Sequence, residues 1–266
     1  MFFFGLRDPG MSLSNGINRQ GMLWIGFFTV VLAAWAALYV MVRRSPLSEV
    51  PPGLLGDLCL SAANASLGQL FAMWALMSAA MMLPTFVPAL RTFLDLGATG
   101  ATRSVDAAAL VAGYGAVWML GAGAGAIAQW TLAAAGLLRP DGASLSLWLT
   151  VALLLAAGLY QFSVLKTGCL AKCRMPLTFF MERWGPGPMR AARMGAELGV
   201  ICFGCCWALM ALAFVGGTMS LLWMGGATLF MVLEKLPDIG RYLTRPAGVL
   251  LMAASCIVAL RAVFSI

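Results

Sequence analysis

Apolar residues along this chain fall in seven long runs, broken by short stretches that carry Arg, Lys, Pro or Gly. A hydrocarbon core of about 30 Å takes roughly 20 helical residues to cross, and only helices or closed barrels satisfy their backbone polar groups there. Continuous runs without strict alternation select helices. They predict spans near residues 22–42, 68–91, 107–137, 145–165, 193–214, 217–234 and 246–264. Between the fifth and sixth only Gly216, Gly217, Thr218 and Ser220 mark a turn, so a single long hairpin, and six spans in all, stays open. The predicted fold class is all-α: a polytopic transmembrane helical bundle, read as one domain over residues 1–266.

Composition agrees with this pattern. The chain is 62% hydrophobic and 10% charged over 266 residues, which excludes an ordinary soluble domain. Its first 20 residues, MFFFGLRDPGMSLSNGINRQ, lack a basic start, an uninterrupted apolar stretch and a small-residue cleavage site, so the first span is expected to be the targeting signal. The net charge of +7 reflects basic loops and not a separate basic domain, and nucleic-acid binding is not expected. Arg43, Arg44, Arg139 and Arg261 fall on one side of the predicted bundle and the other thirteen of the 17 basic residues on the opposite side. Lys and Arg accumulate in cytoplasmic loops, so the N-terminus is expected inside and the C-terminus outside a bacterial inner membrane.

Two short patterns bear on packing. GAGAGA at 121–126 looks like a dinucleotide fingerprint, but no strand precedes it, and Gly121 and Gly125 are better read as a small-residue face that lets helices approach. The tetrapeptide WALM occurs at 74–77 and again at 207–210, which leaves open a 3+3 inverted repeat.

Candidate chemistry lies in the sulfur residues. In MWALMSAAMMLPTFVP, Met73, Met77 and Met81 share a helical face with Met82 beside it, and in CFGCCWALM, Cys202, Cys206 and Met210 have the same spacing. Counting from Arg91 and Arg193 as markers of the inner surface pairs Met81 with Cys202, Met77 with Cys206 and Met73 with Met210. Methionine stripes are ordinarily core filling, and free cysteine packs as a small hydrophobe. Three thiols in five residues, Cys202, Cys205 and Cys206, point instead to metal binding or redox chemistry. Pro84 and Pro88 are expected to free carbonyls or bend the helix just inside that level.

A second thiol pair, Cys169 and Cys173, lies in KTGCLAKCRMP on the inner side with Lys166, Lys172 and Arg174 around it, cations that favour the thiolate. The same segment also reads as a plain basic interfacial stretch. Cys59 and Cys256 look incidental. Glu197 and Glu234 are expected to pair with Arg193 and Lys235. Thiolate and thioether select soft ions, whereas Mg, Ca and Mn want oxygen and methionine serves zinc poorly, so Cu(I) is the leading candidate. The candidate ligands are Met73, Met77, Met81, Met82, Cys169, Cys173, Cys202, Cys205, Cys206 and Met210.

Three segments, MWALMSAAMMLPTFVPAL at 73–90, YQFSVLKTGCLAKCRMPLTFF at 160–180 and GVICFGCCWALMALAFVGGTMSLLWM at 199–224, followed by Glu234 and Lys235, resemble a bacterial family of predicted metal-binding integral membrane proteins. That domain-of-unknown-function family is associated with copper delivery to polyphenol oxidases, and the resemblance covers roughly residues 65–240. Thr85 stands where the family pattern leads one to expect serine. The resemblance implies metal handling.

Three functions remain open. The first is a non-enzymatic Cu(I) chaperone or transporter that serves a cuproenzyme or a further chaperone. The second is an assembly subunit of a larger membrane complex, and the third is a membrane thiol oxidoreductase. No ATP-binding loop argues for pumping. An alkaline phosphatase domain fused after Ile266 should be active, because the C-terminus is expected outside; an inactive fusion at normal expression would reverse the orientation.

Overall fold

A computed structural model describes residues 10–44, 65–96 and 103–264, and these are helical nearly throughout. Among the described residues ten helices follow one another: α1 Gly10–Arg44, α2 Leu67–Leu96, α3 Ser104–Ala134, α4 Leu147–Tyr160, α5 Val164–Arg174, α6 Pro176–Arg183, α7 Pro188–Ala211, α8 Ala213–Gly216, α9 Leu221–Lys235 and α10 Gly240–Phe264. Each predicted span has a helix. Five helical stretches are long and apolar enough to cross a membrane: 21–42, α2, α3, α7 with α8, and the α10 region. A sixth arises if α4 and α5, which meet at 61°, count as one broken span.

The sixth expected span, 217–234, becomes α9, which has 15 residues. At 1.5 Å per residue it rises about 22 Å, short of a full hydrocarbon core. The turn before it is real. Gly217 has a φ of 90°, a conformation that suits glycine, and the Ser220 hydroxyl caps α9 by accepting the Trp223 amide at 3.3 Å.

Local chemistry explains the other breaks. Ser163 caps α5 through the Lys166 amide at 3.1 Å. Met175 leaves helical geometry because Pro176 follows it, and Pro176 and Pro188 each open a new helix, where a missing N–H costs nothing. By contrast α2 runs unbroken through Pro84 and Pro88. Pro84 cannot donate to the Ala80 carbonyl, and the indole of Trp35 on α1 takes that acceptor at 3.0 Å. The expected free carbonyl thus exists, and it is used to dock α1.

The tightest packing joins α3 to α7. A side chain at Gly113 would run into the Ala192 carbonyl, one at Gly195 into the Leu110 carbonyl and one at Gly199 into Val117, so these glycines set how closely the backbones lie. Gly121 and Gly125 do something else: each leaves room for an aromatic ring, Phe203 and Trp74 respectively. The GAGAGA expectation is corrected accordingly, since the close backbone approach lies nearer the start of α3.

The two WALM copies also sit differently. Trp74 is buried and donates to Gln129 Oε1 at 2.8 Å, whereas Trp207 is 41% exposed and packs its edge on Tyr160. Gly195→Val should cost about 1–3 kcal/mol through overpacking and lower the detergent melting temperature, while Gly115→Ala, where nothing lies within 4 Å, should leave it unchanged.

Candidate metal centre

Five helices converge on the CxxCC turn of α7. Cys202, Cys205 and Cys206 are buried, and their three Sγ atoms all lie within 4.8 Å of one another. Cys205 Sγ is 3.2 Å from Cys206 Sγ and donates to the Cys202 carbonyl at 3.1 Å. One helical turn brings this about, because residues three and four apart share a face and the adjacent Cys206 turns back toward Cys205. All six described cysteines are free thiols. Cys59 lies outside the described residues.

Lys235, at the last position of α9, is buried and reaches into the same site. Its Nζ donates to Cys202 Sγ at 3.0 Å and to Thr85 Oγ1 at 2.8 Å. An ammonium has only donors, so the sulfur is the acceptor. Tyr114 on α3 completes the ring, with its hydroxyl 3.1 Å from Cys202 Sγ and donating to the Met82 carbonyl at 3.1 Å. Thr85 donates to that same carbonyl at 2.8 Å. The Tyr114 ring stacks on Phe86 with centroids 4.2 Å apart, which holds the hydroxyl in place.

The α2 and α7 sulfur stripes do not face each other rung for rung. α3 packs against both helices, and the α2 side chain that meets Cys202 through a polar contact is Thr85, 4.0 Å away and one turn beyond Met81. Depth counted from arginines takes no account of how α3 packs against both helices. Met73, Met77, Met81, Met82 and Met210 are all buried in the common core. Of these, Met82 enters the site through its carbonyl.

The second thiol pair is not a separate station. Cys169 Sγ packs on Gly204, 2.9 Å from where a β-carbon would stand, and Cys173 lies near Cys205. Gly204 is what admits the thiol. The Tyr160 hydroxyl donates to the Gly204 carbonyl and so fastens the end of α4 to this turn. Both α5 thiols are only half-buried, so the five sulfurs grade from the interior toward the surface.

The charges are partnered differently from the sequence expectation. Glu197 does meet Arg193, at 3.3 Å, and also Arg183 at 2.7 Å. Glu234 pairs with Lys166, whose Nζ is 3.0 Å from both carboxylate oxygens at almost no exposure, and not with Lys235. Consecutive residues at a helix end point in different directions, so Glu234 faces α5 while Lys235 faces α7. Arg174 is also occupied, donating twice to the Glu234 carbonyl. Two of the three cations expected around Cys169 and Cys173 are therefore committed to Glu234.

A model of the PpoB2 copper chaperone family matches residues 71–258. The chain belongs to this family. The match spans α2 to α10 and includes every residue of the thiol site just described. No curated protein and no solved structure matches the chain.

Sequence reasoning missed Tyr114 and misassigned Lys235. A hydroxyl at Tyr114 and a cation at Lys235, each inside or at the end of an apolar run, were the signals available, since polar groups at such depth need partners. A variant retaining only Cys173 and Cys205 should be bridged by a fluorogenic bis-thiol bimane reagent and become fluorescent, whereas one retaining only Cys173 and Cys256 should stay dark. Equal, low fluorescence from both would separate α5 from the CxxCC turn.

Proposed function

We propose that this chain is an integral membrane copper chaperone of the bacterial inner membrane. It takes Cu(I) as cargo on Cys202, Cys205 and Cys206 and passes it on to a cuproenzyme or a further carrier. The observation that carries this reading is the buried triad of thiols within 4.8 Å with a lysine ammonium 3.0 Å from one of them. Soft sulfur donors favour a cuprous ion, and no carboxylate or imidazole competes for it among the site residues. Two or more thiolates around one monovalent ion leave net negative charge. In an apolar interior that charge is costly unless compensated, and Lys235 supplies the compensation.

Delivery also requires release. Cys169 and Cys173 lie between the buried triad and the surface, so an ion can exchange one thiolate at a time along α5 without being bare. The buried methionines Met73, Met77, Met81, Met82 and Met210 lie in the surrounding core, where their thioethers are weaker candidate donors. The basic-residue asymmetry supports an inside N-terminus, which sets the α5 thiols on the cytoplasmic side. Family membership supports a copper-requiring enzyme as the recipient. The role proposed is carriage, with no bond made or broken in a substrate.

Anaerobically purified protein should bind Cu(I) in competition with a chromogenic cuprous chelator. The Cys202→Ser, Cys205→Ser, Cys206→Ser triple variant should lose at least about 100-fold in affinity, about 2.7 kcal/mol. Cys256→Ser should bind as the parent does. Equal binding by parent and triple variant would remove the site. Lys235→Met, which keeps the length and removes the charge, should weaken binding by about tenfold, equivalent to about 1.4 kcal/mol.

A further inference from the structure

A second site lies apart from the thiols, in an open cavity of about 800 Å³ where the end of α4, the middle of α5 and the first turns of α10 meet. Arg174, Arg241 and Arg245 all line it, and no carboxylate lines it among the described residues. Neither Arg241 nor Arg245 forms a salt bridge among the described residues. Asp238, the nearest acid in sequence, does not line the cavity. Arg174 is already engaged with the Glu234 carbonyl, so the unanswered charges are those of Arg241 and Arg245. Arg241 and Arg245 thus bring like charges to a cavity with no acid in its described lining, which raises the energy of the folded chain, and a bound anion removes that cost.

The cavity holds a further unmet group. Gln161 is 2% exposed, and its side-chain Oε1 has no hydrogen-bond partner. A buried acceptor left unpaired is costly, so a ligand that offers an anion to the arginines and a donor to Gln161 satisfies both. Guanidinium groups match phosphate oxygens two at a time.

The surroundings say where such a phosphate comes from. Phe162 and Tyr242 also line the cavity and are 45% and 69% exposed, and the neighbouring Val164 and Leu165 are 88% and 62% exposed. The site therefore stands at the ends of apolar helices with an aromatic and aliphatic rim, where headgroups meet hydrocarbon. Basic pockets between membrane helices hold anionic headgroups. We propose that this cavity binds the phosphate of an anionic phospholipid headgroup, with Arg241 and Arg245 holding the phosphate and Gln161 accepting from a headgroup hydroxyl. A soluble phosphate compound presents the same oxygens, and the test separates the two sources.

The full-length protein, purified from detergent containing equal amounts of phosphatidylglycerol and phosphatidylcholine, should be examined by native mass spectrometry. Phosphatidylglycerol should be retained over phosphatidylcholine by about tenfold. The preference should fall to parity in Arg241→Gln/Arg245→Gln, persist in Arg139→Gln and survive millimolar inorganic phosphate. Displacement by inorganic phosphate would overturn the lipid assignment in favour of a soluble phosphate compound. Equal preference in parent and double variant would overturn the site altogether. Arg174 is left intact because it also holds the Glu234 carbonyl. Should the double variant fail to fold, Arg245→Gln alone carries the same comparison. The measurement uses no copper, so its failure and that of the copper reading are distinguishable.

Discussion

Two charges on consecutive residues at the end of α9 have to be answered inside an apolar bundle, and the way they are answered organises the functional half of the molecule. Glu234 is met by Lys166 of α5, and Lys235 is met by Cys202 of α7 and Thr85 of α2. Arg174 then closes on the Glu234 carbonyl. Removing one partner of a buried pair costs about 3–5 kcal/mol, because the other charge is left without water or counter-charge. That penalty ties α2, α5, α7 and α9 into one arrangement around the sulfurs. The thiol site is thus held by electrostatics as much as by apolar packing.

Apolar packing supplies the frame on which those charges act. Gly113, Gly195 and Gly199 let α3 and α7 lie against each other, and this places the Tyr114 hydroxyl within reach of Cys202. Gly204 plays a matching part on the other face of α7, where it admits Cys169. Small residues on opposite faces of one helix therefore bring a hydroxyl from one neighbour and a thiol from another to the same turn. In a bilayer, where lipid is as apolar as leucine, close approach through glycine is a main source of helix association.

A soft-metal carrier has to hold its ion firmly enough to keep it from water and loosely enough to give it up. The gradient from Cys202, Cys205 and Cys206 in the interior to Cys169 and Cys173 nearer the surface answers both demands with one donor type. Lys235 adds a fixed positive charge beside the innermost sulfur, so negative charge on the triad does not stand alone. Under the proposed copper-chaperone role, a cuprous ion would move among similar ligands, and no single step would have to break every bond.

The long apolar helices were legible in the sequence because a segment able to cross a hydrocarbon layer needs a long uninterrupted apolar run, and no distant residue can substitute for it. α2, α3, α7 and α10 accordingly fall within a few residues of their expected places. The CxxCC triad was legible for a similarly local reason, since one helical turn is enough to gather Cys202, Cys205 and Cys206. What lay across the bundle was not legible. Which turn of α2 meets Cys202, where Lys235 points, that Tyr114 joins the site and that α5 folds its thiols onto Gly204 all depend on how helices rotate and cross. Helical periodicity gives each helix a set of faces but leaves the choice of neighbour to tertiary packing, where glycine approach, charge pairing and the bend between α4 and α5 decide together.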